Sequence, residues 1–121
     1  MMTIEHFGAA HVPLSPAVRA GDFVYVSGQV PVVDGRVVGA DVGAQTDQVI
    51  ANIKQVLEMA GCTLADVIKT HVYLTDRDDF AAFNEAYGRH FATNPPARTT
   101  AEARLMIDIK VEIEAIAYKP L

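Results

Sequence analysis

Apolar and polar positions follow two rhythms along this chain. "FVYVSGQVPVVDGRVVG", Phe23 to Gly39, is dense in β-branched and aromatic residues and is interrupted by Gly and Pro. Such side chains pack well on a pleated surface, so the stretch predicts strands. One runs over about 23–28, with short arms around 31–33 and 36–38. The arms meet at Asp34-Gly35, a turn that needs positive φ. "AVRAG" ahead of them predicts another strand ending at Gly21. The rhythm then becomes three and four. Val49, Ile50, Ile53, Val56, Leu57 and Ala60 make the stripe of an amphipathic helix, and Gly61 supplies its stop.

Period two returns over 66–76, with Ile68, Thr70, Val72 and Leu74 on one face. Lys69, His71, Tyr73 and Thr75 take the other. Phe80, Phe83, Tyr87 and Phe91 then predict a second helix over 78–92, capped by Asp76 or Asp78. Gly88 inside it costs about 1 kcal/mol against Ala and suggests close approach of another backbone. Asn94-Pro95-Pro96 ends that helix. Two strands follow, about 98–105 and 110–118, with a tight connection expected near Ile107-Asp108.

The expected order is β-β-β-α-β-α-β-β, an α+β fold with two helices on one face of a mixed sheet. "VEIEAIA" is apolar on both sides, and two helices can cover only one. The uncovered face is therefore expected to pack on another copy of the chain.

With 121 residues, one domain over 1–121 is expected. No apolar run approaches the ~20 residues of a membrane helix. "MMTIEHFGAAHV" has no apolar h-region, so no signal peptide is expected. The single Cys62 excludes an internal disulfide and suits a reducing compartment, which makes cytoplasm the expected address. A net charge of −5 with scattered Lys and Arg argues against nucleic acid.

Candidate chemistry is sparse. Arg98, Thr100, Glu102 and Arg104 share one face of their strand, and Glu112 and Glu114 share one face of theirs. Arg98 alone reads either as half of a structural ion pair or as a fork for a carboxylate or phosphate. Glu112 and Glu114 alone read as a solvated strand face. If a tight hairpin joined the two strands, Glu112 would face Ala103, ~17 Å from Arg98. One site containing both would then lie between subunits. His6, His11, His71 and His90 lack metal-ligand spacing, Ser27 has no visible base, and Cys62 sits beside a helix C-terminus that disfavours a thiolate.

"SGQVPV" (27–32), "VLEMAGCTLADVIKTHVYLTDRDDFAAFNEAY" (56–87), "PPARTT" (95–100) and "VEIEAIA" (111–117) together resemble the YjgF/RidA family. The resemblance spans nearly the whole chain. It implies a chorismate-mutase-like homotrimer with sites in clefts between subunits. It also implies hydrolysis of reactive enamines and imines to a 2-oxo acid and ammonia, without metal or organic cofactor. Carried over, Arg98 clamps the substrate carboxylate, and Glu112 holds and activates the attacking water. Gly28 offers its carbonyl to the substrate nitrogen, and Ser27 and Asn84 line the cleft.

The chain also departs from the deaminase branch of that family. Ala17, in "LSPAV", stands for the tyrosine of an I-G-P-Y run, which implies a roomier pocket. Thr100 stands for cysteine, and backbone donation from that position survives the change. The 98–112 segment is one residue shorter. The resemblance implies a substrate of the 2-aminoacrylate or 2-imino acid class, and these departures point away from the small 2-iminopropanoate type toward a related aminoacrylate-like or aminomuconate-like compound. A non-catalytic module for small carboxylates is the alternative.

Overall fold

The structure, a computed structural model, describes residues 3–121. Ten elements follow the chain: β1 (Ile4–Phe7), β2 (Ala17–Ala20), β3 (Phe23–Gln29), β4 (Val32–Val33), β5 (Arg36–Val37), α1 (Val42–Met59), β6 (Val67–Leu74), α2 (Phe80–His90), β7 (Ala97–Glu102) and β8 (Val111–Tyr118). Six strands form one sheet in the order β1-β2-β3-β8-β6-β7, and β4 and β5 form a separate hairpin. Both helices lie on one face of the sheet, so the α+β expectation holds. The turn of that hairpin has φ of 51° at Asp34 and 77° at Gly35, as its sequence requires.

Helix α1 starts at Val42, earlier than its apolar stripe begins, because the Asp41 carboxylate accepts from the Ala44 amide at 2.8 Å. Gly61, at φ 74°, ends it: its amide and that of Cys62 bond the carbonyls of Glu58 and Leu57. The stripe packs against β3 and β8, and Val49, Ile50, Ile53 and Leu57 are at most 1% exposed. The cap of α2 differs from expectation. Asp76 caps a short 3-10 turn at Arg77–Asp79, and Asp79 is the residue that precedes the helix. A Cβ on Gly88 would meet nothing within 4 Å, so no backbone of this chain crowds it.

Arg19 is 5% exposed and ties distant segments together. Its guanidinium donates to the carbonyls of Gly21 (3.1 Å), Lys119 (2.9 Å) and Ala60 (3.2 Å). A turn, the end of the last strand and the end of α1 thereby converge on one cation.

Four expectations are corrected. An extra strand, β1, pairs with β2 at the sheet edge. Its residues are mostly exposed, so no alternation marks it. Ile68, expected inward, is 45% exposed, because the β6–β8 register slips between Val67 and Lys69. Strand β7 ends at Glu102 rather than 105, and the following residues form a loop. Most important, β7 and β8 form no hairpin. Strand β7 runs parallel to β6 at the edge, connected through α2, and β6 separates it from β8.

The uncovered face of the sheet carries Phe23, Tyr25, Ile68 and Tyr118, each 40–50% exposed. Phe23 and Tyr118 stack edge to face at 5.3 Å. Around them are the polar side chains of Lys69, His71, Tyr73, Glu112 and Glu114.

Candidate functional site

The β6-α2-β7 unit fixes where Arg98 points. Pro95 and Pro96 hold the chain extended after a turn at Asn94, whose φ is 48°. Arg98 then pairs with Thr70, and Thr70 is fully buried on the helix side. The guanidinium carbon accordingly lies under α2, 5.6 Å from the Phe80 ring centroid, 5.4 Å from Phe83 and 5.0 Å from Tyr87. Ring faces attract a cation, so this cage positions the group without consuming its N–H donors. The hydroxyls of Tyr87 and Thr70 share a 2.7 Å hydrogen bond, and burial pushes the Tyr87 phenol up.

Among the described residues, Arg98 makes no ion pair and no side-chain hydrogen bond. The ion-pair reading of this residue therefore finds no partner, and its fork is free. Thr100 shares its face, and the Thr100 hydroxyl is shielded from solvent with no partner. A pocket of about 220 Å³ opens beside it, walled by Leu74, Arg77, Phe80, Ala101 and Glu102. Asn84 lies one helical turn after Phe80, on the same strip of α2.

Glu112 belongs to the other face. It pairs with Tyr73, three residues along β6 from the partner of Arg98. An odd offset reverses the face, and three residues on strands two places apart separate the backbones by roughly 10 Å in each direction. Glu112 and Arg98 therefore do not meet within one chain. No hairpin keeps them apart, as the sequence would suggest; the parallel pairing of β7 with β6 does.

Opposite Glu112, β3 breaks its regular pairing with β8 between Val26 and Gln29. Gly28 sits in that break, where a Cβ would lie 2.5 Å from Glu112 Oε2. Glycine here makes room for the carboxylate. Burial first, and the Glu114 charge second, raise the Glu112 pKa above the usual carboxylate range. The Ser27 hydroxyl donates to the Ser15 carbonyl at 2.6 Å, and its amide to the Pro16 carbonyl at 2.9 Å. Ser27 thus anchors the loop before β2 beside Gly28.

Ala17 is not at a cleft. It is fully buried, pairs with Val26 and belongs to the core. A roomier pocket at Ala17 is accordingly withdrawn.

The family described as Endoribonuclease L-PSP matches residues 4–119. A RutC family protein of Pyrococcus horikoshii is 49% identical over 110 residues, covering 88% of this chain and 87% of that protein. The chain belongs to the endoribonuclease L-PSP family. This is the YjgF/RidA family that its motifs resemble. Two solved L-PSP-type structures agree. Yeast Mmf1 superposes with a TM-score of 0.92 at 33% identity, over 97% of this chain and 99% of that one. The YjgF gene product of E. coli gives 0.86 at 41% identity, over 91% of each chain.

Within this L-PSP chain, one cluster gathers Arg98, Thr100 and the α2 strip that holds Asn84. A second, on the other face, gathers Glu112, Gly28 and Ser27. The aromatic cage of Arg98 is not visible in the sequence, where Phe80, Phe83 and Tyr87 mark only the spacing of a helix. The distinguishing signal was available in principle. A βαβ unit stacks its helix over the strand that follows, so rings on α2 must meet residues of β7.

Proposed function

We propose that this protein hydrolyses small enamine or imine carboxylates to a 2-oxo acid and ammonia, at a site shared by two copies of a homotrimer. Arg98 of one copy binds the substrate carboxylate through its free fork, with Thr100 and Asn84 beside it. Glu112 of the next copy, with Gly28 and Ser27, holds the water. The observation that carries this reading is the caged guanidinium without a partner in its own chain. The exposed apolar residues on the open sheet face support association of copies.

The chemistry balances with these groups and water alone. Water adds to the protonated imine carbon and gives one proton to Glu112, leaving a neutral carbinolamine. Glu112 returns that proton to nitrogen, the C–N bond breaks with its electron pair leaving on ammonia, and the hydroxyl proton passes through Glu112 to that ammonia as the carbonyl forms. The net products are a 2-oxo acid and ammonium. An imine carbon is already electrophilic, so fixing the acid and placing the water supplies most of what is needed.

Subunit complementation tests both reaction and geometry. Arg98→Ala and Glu112→Gln should each abolish acceleration of imine loss when 2-aminoacrylate is generated by a coupled dehydratase. Unfolded and refolded together in equal amounts, they should regain about a quarter of wild-type activity, because a heterologous interface pairs the intact Arg98 of one copy with the intact Glu112 of another. No recovery by a mixed oligomer would sink the shared site. A wild-type protein no faster than buffer on a panel of imino acids would sink the reaction. It would leave the carboxylate-binding module, which requires Arg98 and is indifferent to Glu112→Gln.

A further inference from the structure

The Glu112 half-site contains polar groups that the reaction above does not use. Strand β8 places Glu114 two residues after Glu112 on the same face. Strand β6 brings Tyr73 opposite Glu112 and His71 opposite Glu114. The Tyr73 hydroxyl crosses the ladder and donates to Glu114 Oε1 at 2.9 Å. His71 Nδ1 is buried and has no hydrogen-bond partner.

We propose that Tyr73 and Glu114 are positioning residues for Glu112: the phenol fixes the Glu114 carboxylate in the sheet, and that fixed negative charge makes Glu112 the stronger base of the pair. This rests on the proposed role of Glu112 and extends it to two residues that need not touch substrate.

Two carboxylates on alternate residues of one strand are about 7 Å apart at the backbone, close enough for each charge to disfavour the other. Such a pair shares its protons unless something distinguishes the members. The structure distinguishes them. Glu114 receives a donor that stabilises its charged form, whereas Glu112 is pressed against Gly28 with none from Tyr73. The proton therefore goes to Glu112, which suits a group that must take one from water and hand it to nitrogen. The raised Glu112 pKa, caused first by burial and then by Glu114, agrees. So does the Tyr73 phenol, which its bond to Glu114 pushes up and keeps as a donor.

Other groups face this pair. From β6 they are His71 and, one step further, Lys69, which donates to Thr99 at 3.1 Å. From β3 they are Tyr25, Gly28 and Gln29. His71 stands directly opposite Glu114, so it is replaced in the test.

The experiment is a ¹³C-carboxyl NMR titration of glutamate-labelled protein in a His71→Gln background, with Glu112→Gln identifying the resonance. Glu114→Gln should move the Glu112 midpoint to lower pH. Tyr73→Phe, which keeps the ring, should move it the same way by less, because an undonated Glu114 holds its own proton longer. A Glu112 midpoint unmoved by Glu114→Gln, or moved upward, overturns the proposal. So does a Tyr73→Phe shift as large as that of Glu114→Gln when Glu114 still titrates normally. The readout needs no substrate, so it stands or falls apart from the deaminase reading. If wild type also hydrolyses imines, the acid limb of kcat/KM should follow the NMR midpoints through the same variants.

Discussion

Arg19 and Arg98 are two arginines on strands of one sheet, and their surroundings differ completely. Arg19 is 5% exposed and spends its donors on three backbone carbonyls. Arg98 is held by three ring faces and spends none on the described chain. Hydrogen-bonding saturation locks a side chain into the fold, whereas a cage of rings fixes its position and leaves its chemistry open. The donor inventory, more than the burial, separates a structural cation from one available to a ligand.

The contrast can be broken from either side. The largest effect expected is catalytic. Glu112→Gln should lower kcat/KM by roughly 10²–10⁴-fold in the coupled imine assay, the range that a positioned acid–base group contributes, and Arg98→Ala should lower it on the order of 10²-fold or more through lost positioning of the substrate. In the same variants, urea unfolding should show Arg98→Ala within about 1 kcal/mol of wild type, since only ring contacts are lost. Arg19→Ala should reverse that pattern. It leaves buried carbonyls without donors and should cost about 3 kcal/mol or more by denaturant titration. An Arg98 variant that unfolds as readily as the Arg19 variant would erase the distinction.

Smaller changes sharpen it. Gly28→Ala should reduce kcat on the order of tenfold or more with little change in stability, because the added methyl displaces a flexible carboxylate rather than backbone. Glu112 also predicts a pH effect on stability. Its folded-state pKa is raised, so between the unfolded value and that raised value the native state binds more protons than the unfolded chain. Stability should therefore fall as pH rises through that window, and Glu112→Gln should flatten the fall in thermal melts. Last, Thr100→Val should raise stability by about 1 kcal/mol in the same denaturant titration, since the hydroxyl it removes is shielded from water and has no partner.

Much of the architecture was legible from rhythm alone. The three-and-four stripe of α1, its glycine stop and the Asp34-Gly35 turn all stand where the sequence places them. Pairing was not legible. Alternation assigns faces within a strand but not its partner, so β7 was matched to its neighbour in sequence rather than to β6. Strand β1 escaped because an exposed edge strand needs no apolar face. In the site, Arg98 and Glu112 gained meaning only as a pair of motifs, and Phe80, Phe83 and Tyr87 were hidden by their core-like spacing. Ala17 failed for a different reason: motif counting placed it in a cleft, and its pairing with Val26 buries it.

Strand β8 sits between β3 and β6, yet it is the last of the six strands in chain order. Until residues 111–118 emerge during synthesis, β3 and β6 each offer an open edge lined with Val and Leu. The nascent sheet is thus two half-sheets waiting for a keystone, exposed meanwhile to pairing with other chains. The strand that carries Glu112 is also the one that closes the fold. A ribosome stalled before residue 111 would release a chain prone to aggregate, and one that passes it would complete the core and place Glu112 beside Gly28 in a single step.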